Sequence, residues 1–260
     1  MKGVILAGGE GTRLRPFTYV TNKHLANVYE SVMIKYPLET LVNAGINNIL
    51  IVCGDHQSGQ FLELLSDGSG VNERLKIKYD NRIKITYRIQ RGNPDAPRGA
   101  FGIANALSLA EDFADNERIA VILGDNFFED NIKEYVKNFE RSIYGAKIFL
   151  KEINLENAHR FGIAEIVDGK INSIEEKPKQ PKSNLAVSGL YFYDDKIFEI
   201  IKKLKPSERG EYEITDVNNF YLKNDSLEFE ILTGHWGDMG THESRIGIER
   251  FLVNKYGFSK

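Results

Sequence analysis

Short apolar runs and amphipathic stretches alternate along the first half of the chain. "GVILA", "NILIVC", "KITYRI", "IAVILG" and "AKIFLKEI" read as strands. They are near-continuously apolar, as strands of a parallel sheet covered on both faces are. Between them the helical period predicts helices over Ser31–Ala44, Ala104–Phe113 and Ile132–Ile143. In the first, Met33, Leu38, Leu41 and Val42 share a face, and Gly45 supplies the stop. Repeated strand and helix units predict an α/β fold with a doubly wound, mostly parallel sheet, whose ligands bind beyond the carboxyl ends of strands.

The texture changes after residue 160. "GIAEIVDGKINSIEEKP" reads as strand, Asp-Gly turn, strand, and "LAVSGLYFYD" as a further strand, so the sheet becomes mixed by an added antiparallel part. Helices are predicted over Ile197–Leu204, Ile214–Leu222 and Glu243–Asn254, with "LEFEIL" a strand before the last. The least regular region is 66–101, with two loop-like parts, "SDGSGVNE" and "RGNPDAPRGAF". No composition break marks a linker within the 260 residues.

Composition narrows the chemistry. The formal net charge of −3 argues against binding along a nucleic-acid backbone, so any anionic substrate must meet locally placed cations. The one cysteine, Cys53, sits in an apolar run, which excludes an internal disulfide and reads as a buried thiol in a reducing, cytoplasmic setting. No window approaches the about 18 apolar residues of a membrane span.

The first run feeds into "LAGGEGTRLRP". A dinucleotide fingerprint would need a third glycine where Leu14 stands, and the G-K-[ST] of a P-loop is absent. Two readings stay open: a tight surface turn with solvated arginines, or small residues that let backbone N–H groups approach an anion, with Arg13, Arg15 and Lys23 nearby. "VILGDNFF" places Asp125 at the end of an apolar strand, and "GHWGDMGTHES" places Asp238 after another. Each alone reads as a turn or cap residue; together with a phosphate loop they suggest a two-carboxylate Mg²⁺ site. "SIEEKPKQPKSN" ends a strand in Glu175, Glu176 and Lys177, either as a charged strand end or as a polar site. His235 and His242 bracket Asp238, but the five histidines show no zinc-ligand spacing.

In combination, "LAGGEGTRLRP", "NKHL", "MIKYPLETL", "LGDN", "RFGIAE", "EEKPKQPKSNLAVSGLYFYD", "GEYEITD" and "DMGTHES" resemble, in order and nearly end to end, the sugar-1-phosphate nucleotidyltransferases, and among them the glucose-1-phosphate thymidylyltransferases. The resemblance implies a Rossmann-like sheet with an added antiparallel sugar-binding part. It implies one domain over 1–260, with 1–150 mainly for the nucleotide, 151–240 mainly for the sugar and a C-terminal helix over 241–260. It implies Mg²⁺-dependent transfer from a nucleoside triphosphate, most closely dTTP, to a sugar 1-phosphate, most closely glucose 1-phosphate, with release of pyrophosphate. Carried over by motif, Gly8, Gly11, Thr12 and Arg13 hold the triphosphate, and Lys23 neutralises the departing pyrophosphate. Gln90 and Gly102 face the base, Asp125 and Asp238 bind Mg²⁺, and Lys177 grips the sugar phosphate. Gly162, Glu176 and Val187, with Asn126, line the sugar pocket. The catalytic charges are then Arg13, Lys23 and Lys177; the partners are small molecules, with no nucleic acid or membrane, and assembly into a homo-oligomer is common in the family.

The chain departs from the family pattern in "KHLANVYESVM", where Asn27 and Val32 replace prolines and Ser31 a lysine, which implies a looser Lys23 arm. It is also longer between Gln90 and Gly102 and near residues 70–80, beside the expected base-reading wall. Two alternatives therefore stand beside the leading one: the same reaction with UTP, CTP or an amino- or deoxysugar phosphate, and a non-catalytic nucleotide-sugar-binding regulator.

Overall fold

The opening apolar run forms the strand Lys2–Ala7, with Val4, Ile5 and Ala7 fully buried. The computed structural model describes residues 1–55, 57–77, 79, 82–91 and 102–258. They divide into two compact units. One holds Lys2–Arg91, Ile122–Glu134 and Gly234–Lys260 and carries the glycine loop; the other holds Gly92–Val121 and Tyr135–Thr233, with Met1, and carries Lys177. The strand Ile119–Leu123 and the helix Lys133–Glu140 take the chain from one to the other.

In the glycine-loop unit, Lys2–Ala7 pairs in parallel with Asn48–Gly54, and that strand in parallel with Lys84–Gln90. All three are expected strands, and the first two are apolar on both faces because the sheet is covered on both. The helix Lys35–Asn43 packs Leu38, Leu41 and Val42 inward and ends at Gly45, whose φ of 90° suits glycine. Pro37 falls in its first turn, where a missing N–H costs no helical bond.

The helix does not begin at Ser31 as its apolar spacing suggests. Ser31–Val32 instead pairs antiparallel with Asn27–Val28 in a small hairpin, which Tyr29 turns at φ 55°. The last helix anchors this hairpin, since Arg245 donates to the Asn27 carbonyl (2.6 Å) and the Glu249 carboxylate accepts from the Tyr29 N–H (3.2 Å). Tertiary bonds thus hold the segment that lacks the family prolines. A second correction concerns "SDGSGVNE", which carries the helix Gly70–Leu75 because Val71 and Leu75 have a buried place to go. The loop "RGNPDAPRGAF" lies, from 92 to 101, outside the described residues.

The Lys177 unit is built on the antiparallel series Lys170–Glu176, Gly162–Val167, Leu185–Tyr193 and Ala146–Glu152, to which Leu227–Ile231 adds a parallel edge. The expected Asp-Gly turn is present, with Asp168 and Gly169 both at positive φ (51° and 74°). The single helix expected over Ala104–Phe113 is two, Gly102–Ser108 and Glu111–Ala114. At the break the chain tightens, as the Leu109 and Ala110 N–H groups bond three residues back and the Ser108 hydroxyl takes the Asn105 carbonyl. The helices at Lys133–Glu140 and Ile197–Ile201 end earlier than their apolar residues suggest. No helix among the described residues is long and apolar enough to cross a membrane.

What positions the site is a second core in the glycine-loop unit. Leu14, Ala26, Val28, Met33, Tyr36, Phe127, Met239, Ile248 and Leu252 pack together, joining the loop, the Lys23 arm and the last helix. Each large side chain buried there contributes about 1.5–3 kcal/mol. Beside them lies His24, 1% exposed, its Nδ1 donating to Asn22 Oδ1 (2.8 Å) and its ring against Gly124. Burial, reinforced by the charge of Lys23, lowers its pKa to about 3 against the pull of Asp125.

Because the unfolded chain takes up a proton near pH 6.5 and the folded chain does not until about 3, His24 favours folding fully above pH 6.5. That contribution falls as pH drops between those values, by up to about 1.4 kcal/mol per pH unit. Urea unfolding between pH 7.5 and 5 should therefore show a steeper loss of stability in the natural chain than in His24→Asn; equal slopes would refute a neutral buried His24.

Candidate active site

In the glycine-loop unit the strand Lys2–Ala7 delivers the backbone into Gly8–Gly11. Gly11 sits in the left-handed region (φ 60°), and a Cβ there would lie 2.9 Å from Thr18 Cγ2 and 3.0 Å from Lys23 Cβ. Glycine is thus demanded twice, by backbone angle and by the approach of the Lys23 stem. The Gly11 carbonyl accepts from the Leu14 N–H (2.8 Å) and the Thr18 hydroxyl (2.9 Å), closing the turn that carries Thr12 and Arg13. Gly8 lies beside Gln90, whose Oε1 is 2.8 Å from where a Gly8 Cβ would stand.

Lys23 Nζ meets Asp125 Oδ2 at 2.7 Å, with the side chains only 16% and 13% exposed. Burial alone would push the Asp125 carboxyl up. The charge of Lys23, with hydrogen bonds from Lys23 and Asn126, outweighs it and holds the group far below the usual carboxylate range. Asp125 lies in the turn after Ile119–Leu123 and just before a three-residue ribbon, in which Asn126–Phe128 pairs antiparallel with Trp236–Asp238. That ribbon has no counterpart in the sequence reading, and it sets Asp238 directly opposite Asn126. The Met239 N–H donates to the Asp125 carbonyl (2.7 Å), tying the two aspartate segments together.

The two carboxylates and an arginine converge. A Cβ placed on Gly240 would lie 2.7 Å from Asp238 Oδ1, 3.2 Å from Arg13 Nη2 and 3.3 Å from Asp125 Oδ2. Asp238 Oδ1 is held by the Gly240 N–H at 2.6 Å. Two carboxylate oxygens around one point suit Mg²⁺, which is commonly held by one or two carboxylates and completed by substrate phosphates and water. Among the described residues no three His, Cys, Asp or Glu side chains form a closed cage. His235 stacks on Phe251 (4.1 Å between centroids), and His242 Nε2 lies 3.1 Å from the Arg15 carbonyl oxygen. Cys53 is buried.

In the Lys177 unit, Gly162 opens one strand and Glu176 ends its partner, the two in direct register. A Cβ on Gly162 would lie 3.1 Å from Thr215 Oγ1, 3.4 Å from Glu176 Oε2 and 3.8 Å from Val187 Cβ, so three expected residues do gather. Thr215 donates to Glu176 Oε2 at 2.6 Å. The other oxygen, Glu176 Oε1, meets Lys177 Nζ at 3.6 Å and Arg209 Nη1 at 3.4 Å. Lys177 itself turns at φ 47°, its N–H bonded to the Phe161 carbonyl (2.9 Å). Burial, with Glu176 nearby, raises the Glu213 carboxyl, which also receives the Ser207 hydroxyl and Arg209. Gly102, expected to face the base with Gln90, belongs to this unit. At φ 75° it packs on the backbone of Tyr212, whose oxygen a Cβ would approach to 2.4 Å.

The sequence reading missed Arg209 and Thr215. Both lie in or beside "GEYEITD", a motif whose individual residues gain meaning only from their contact with Glu176.

Comparison with known proteins covers nearly the whole chain. The family described as nucleotidyl transferase matches residues 2–255. A glucose-1-phosphate thymidylyltransferase of Neisseria meningitidis serogroup A is 42% identical over 248 residues, covering 94% of this chain and 80% of that protein. One from Mycolicibacterium smegmatis is 39% identical over 256 residues, covering 97% and 82%. A solved structure of a candidate glucose-1-phosphate thymidylyltransferase from Bacillus anthracis, in complex with sucrose, is similar with a TM-score of 0.85. It is 44% identical, covering 100% of this chain and 98% of that one. The glycine loop and the paired aspartates thus sit in a mixed α/β fold shared nearly end to end with these proteins, and the chain belongs to the nucleotidyl transferase family.

Proposed function

We propose that the protein transfers a thymidylyl group from dTTP to glucose 1-phosphate, giving dTDP-glucose and pyrophosphate. The observation that carries this is the convergence of Arg13, Asp125 and Asp238 around one point, with Lys23 bonded to Asp125. The named relatives support thymine and glucose as base and sugar.

In this reading Gly8, Gly11 and Thr12 present the loop backbone to the triphosphate, and Arg13 meets its charge. Asp125 and Asp238 hold Mg²⁺, which supplies charge neutralisation at the phosphates. Gln90 and Gly102 serve the base. Lys177 grips the sugar phosphate, with Arg209 as a second cation on the same Glu176 oxygen. Gly162, Glu176 and Val187 take the sugar, whereas Asn126, expected beside them, is 2% exposed with its amide committed to Trp236 and Asp125. Gly102 aside, which belongs to the Lys177 unit, the nucleotide work thus falls to the glycine-loop unit and most of the sugar work to the Lys177 unit.

The reaction forms a bond between a sugar-phosphate oxygen and the α-phosphorus while the bond to pyrophosphate breaks. The nucleophile is already an anion at neutral pH, so no general base is required. What the protein must supply is alignment and charge. Lys23 Nζ carries three N–H donors and uses one on Asp125, so it can bond the departing pyrophosphate as well. A cytoplasmic setting, where nucleoside triphosphates are made, belongs to this reading, and so does assembly into an oligomer.

Pyrophosphate release measured for a matrix of nucleoside triphosphates against sugar 1-phosphates should be highest for dTTP with glucose 1-phosphate. It should vanish when EDTA removes the divalent cation. A different best pair would overturn the substrate assignment, and release undiminished by EDTA would overturn the metal site. Lys23→Ala and Asp238→Asn should each lower kcat/KM by about 30- to 1,000-fold, the equivalent of about 2–4 kcal/mol in the transition state. Near-normal turnover in either variant removes that residue from the machinery. Gly162→Ala, which thrusts a methyl group toward Thr215 and Glu176, should raise the KM for sugar phosphate about tenfold and leave that for the triphosphate within about twofold.

A further inference from the structure

The two-stranded ribbon that carries Asp238 also carries a tryptophan whose polar atom is committed. Trp236 and Asp238 are two residues apart on one strand, so they share a face, and Asn126 lies directly opposite Asp238 on the other. The Trp236 indole N–H donates to Asn126 Oδ1 at 2.8 Å, and Asn126 Nδ2 donates to Asp125 Oδ1 at 3.0 Å. Asn126 is 2% exposed and Trp236 9%, so little water can replace either bond.

An indole N–H only donates, whereas an amide side chain has one accepting and one donating end. The indole therefore decides which way the Asn126 amide faces. Rotated by half a turn, the amide would put its NH₂ against the indole N–H and its carbonyl oxygen against the Asp125 carboxylate. Both contacts would be repulsive, and both would be buried. With the amide as observed, Asp125 receives one donor on each oxygen, Asn126 on Oδ1 and Lys23 on Oδ2. That pair of bonds fixes the plane of the carboxylate, and so the direction of its remaining lone pairs.

We propose that Trp236 is a positioning residue for the nucleotidyl-transfer site: through Asn126 it holds Asp125 in the orientation that receives the divalent cation. This rests on the assignment of Asp125 to the cation in the reading above. Trp236 touches no reacting atom in this role; it acts by leaving the amide one acceptable orientation.

Because the chain has a single tryptophan, its indole N–H gives one unambiguous ¹H–¹⁵N resonance. In the natural chain that proton should exchange with solvent at least about tenfold more slowly than in Asn126→Ala, with thermal unfolding showing both proteins folded. Trp236→Phe, which keeps an aromatic ring and removes the donor, should raise the Mg²⁺ concentration for half-maximal pyrophosphate release by about five- to tenfold. In an Asn126→Ala background the same change should add less than about twofold, since the link is already gone. Effects of Trp236→Phe and Asn126→Ala that multiply, or indole exchange unaltered by Asn126→Ala, would overturn the proposal. Asp125→Asn with natural Mg²⁺ dependence would instead overturn the reading of Asp125, and the proposal with it.

Discussion

The contact between Lys23 and Asp125 is the constraint around which the glycine-loop unit is arranged. Two charges 102 residues apart meet at 2.7 Å where little water reaches them. Such a pair roughly balances its own desolvation, but removing one partner leaves a buried charge, at a cost of about 3–5 kcal/mol. Several local features follow from keeping it intact. Gly11 has no side chain because the Lys23 stem passes within contact distance. Asn22 caps the short turn Lys23–Leu25 by accepting from the His24 N–H and ring. Gly124 lacks a Cβ because His24 occupies the space, and His24 in turn must stay uncharged next to Lys23. The aspartate side of the pair is steadied by Asn126 and Trp236.

Much of this architecture could be read from the chain because the strands are continuous apolar runs and "GVILA" runs directly into glycines. Periodicity failed where two elements of opposite type adjoin. Val32 and Met33 continue the apolar spacing of the helix Lys35–Asn43, yet Ser31–Val32 is a hairpin strand, since Tyr29 and Glu30 turn the chain just before it. The ribbon Asn126–Phe128 with Trp236–Asp238 left no trace, because three residues show no period and their partners are about a hundred positions away. The candidate carboxylates were legible singly, as charges at strand ends. Their convergence with Arg13 was not, since it depends on that unseen ribbon and on the approach of Gly240. Arg209 and Thr215 were hidden for the same reason: their importance lies in a shared partner, Glu176, more than thirty residues back.

Both units handle charge in the same way. In one, Lys23 is matched by Asp125; in the other, Lys177 and Arg209 share an oxygen of Glu176, while Thr215 satisfies its second oxygen. A chain with a formal net charge of −3 can keep these cations without leaving them bare, because Lys23, Lys177 and Arg209 each meet a carboxylate. Holding them this way avoids unpaired charges in partly buried places and fixes the side chains in advance, so that little reorganisation remains to be done in the transition state. In the proposed reading, Asn126 on one Asp125 oxygen and Lys23 on the other leave lone pairs that a divalent cation would use. A reaction that requires no proton transfer at the nucleophile, as in the proposed reading, asks the protein for alignment and charge, which Arg13, Asp125 and Asp238 would supply where they converge.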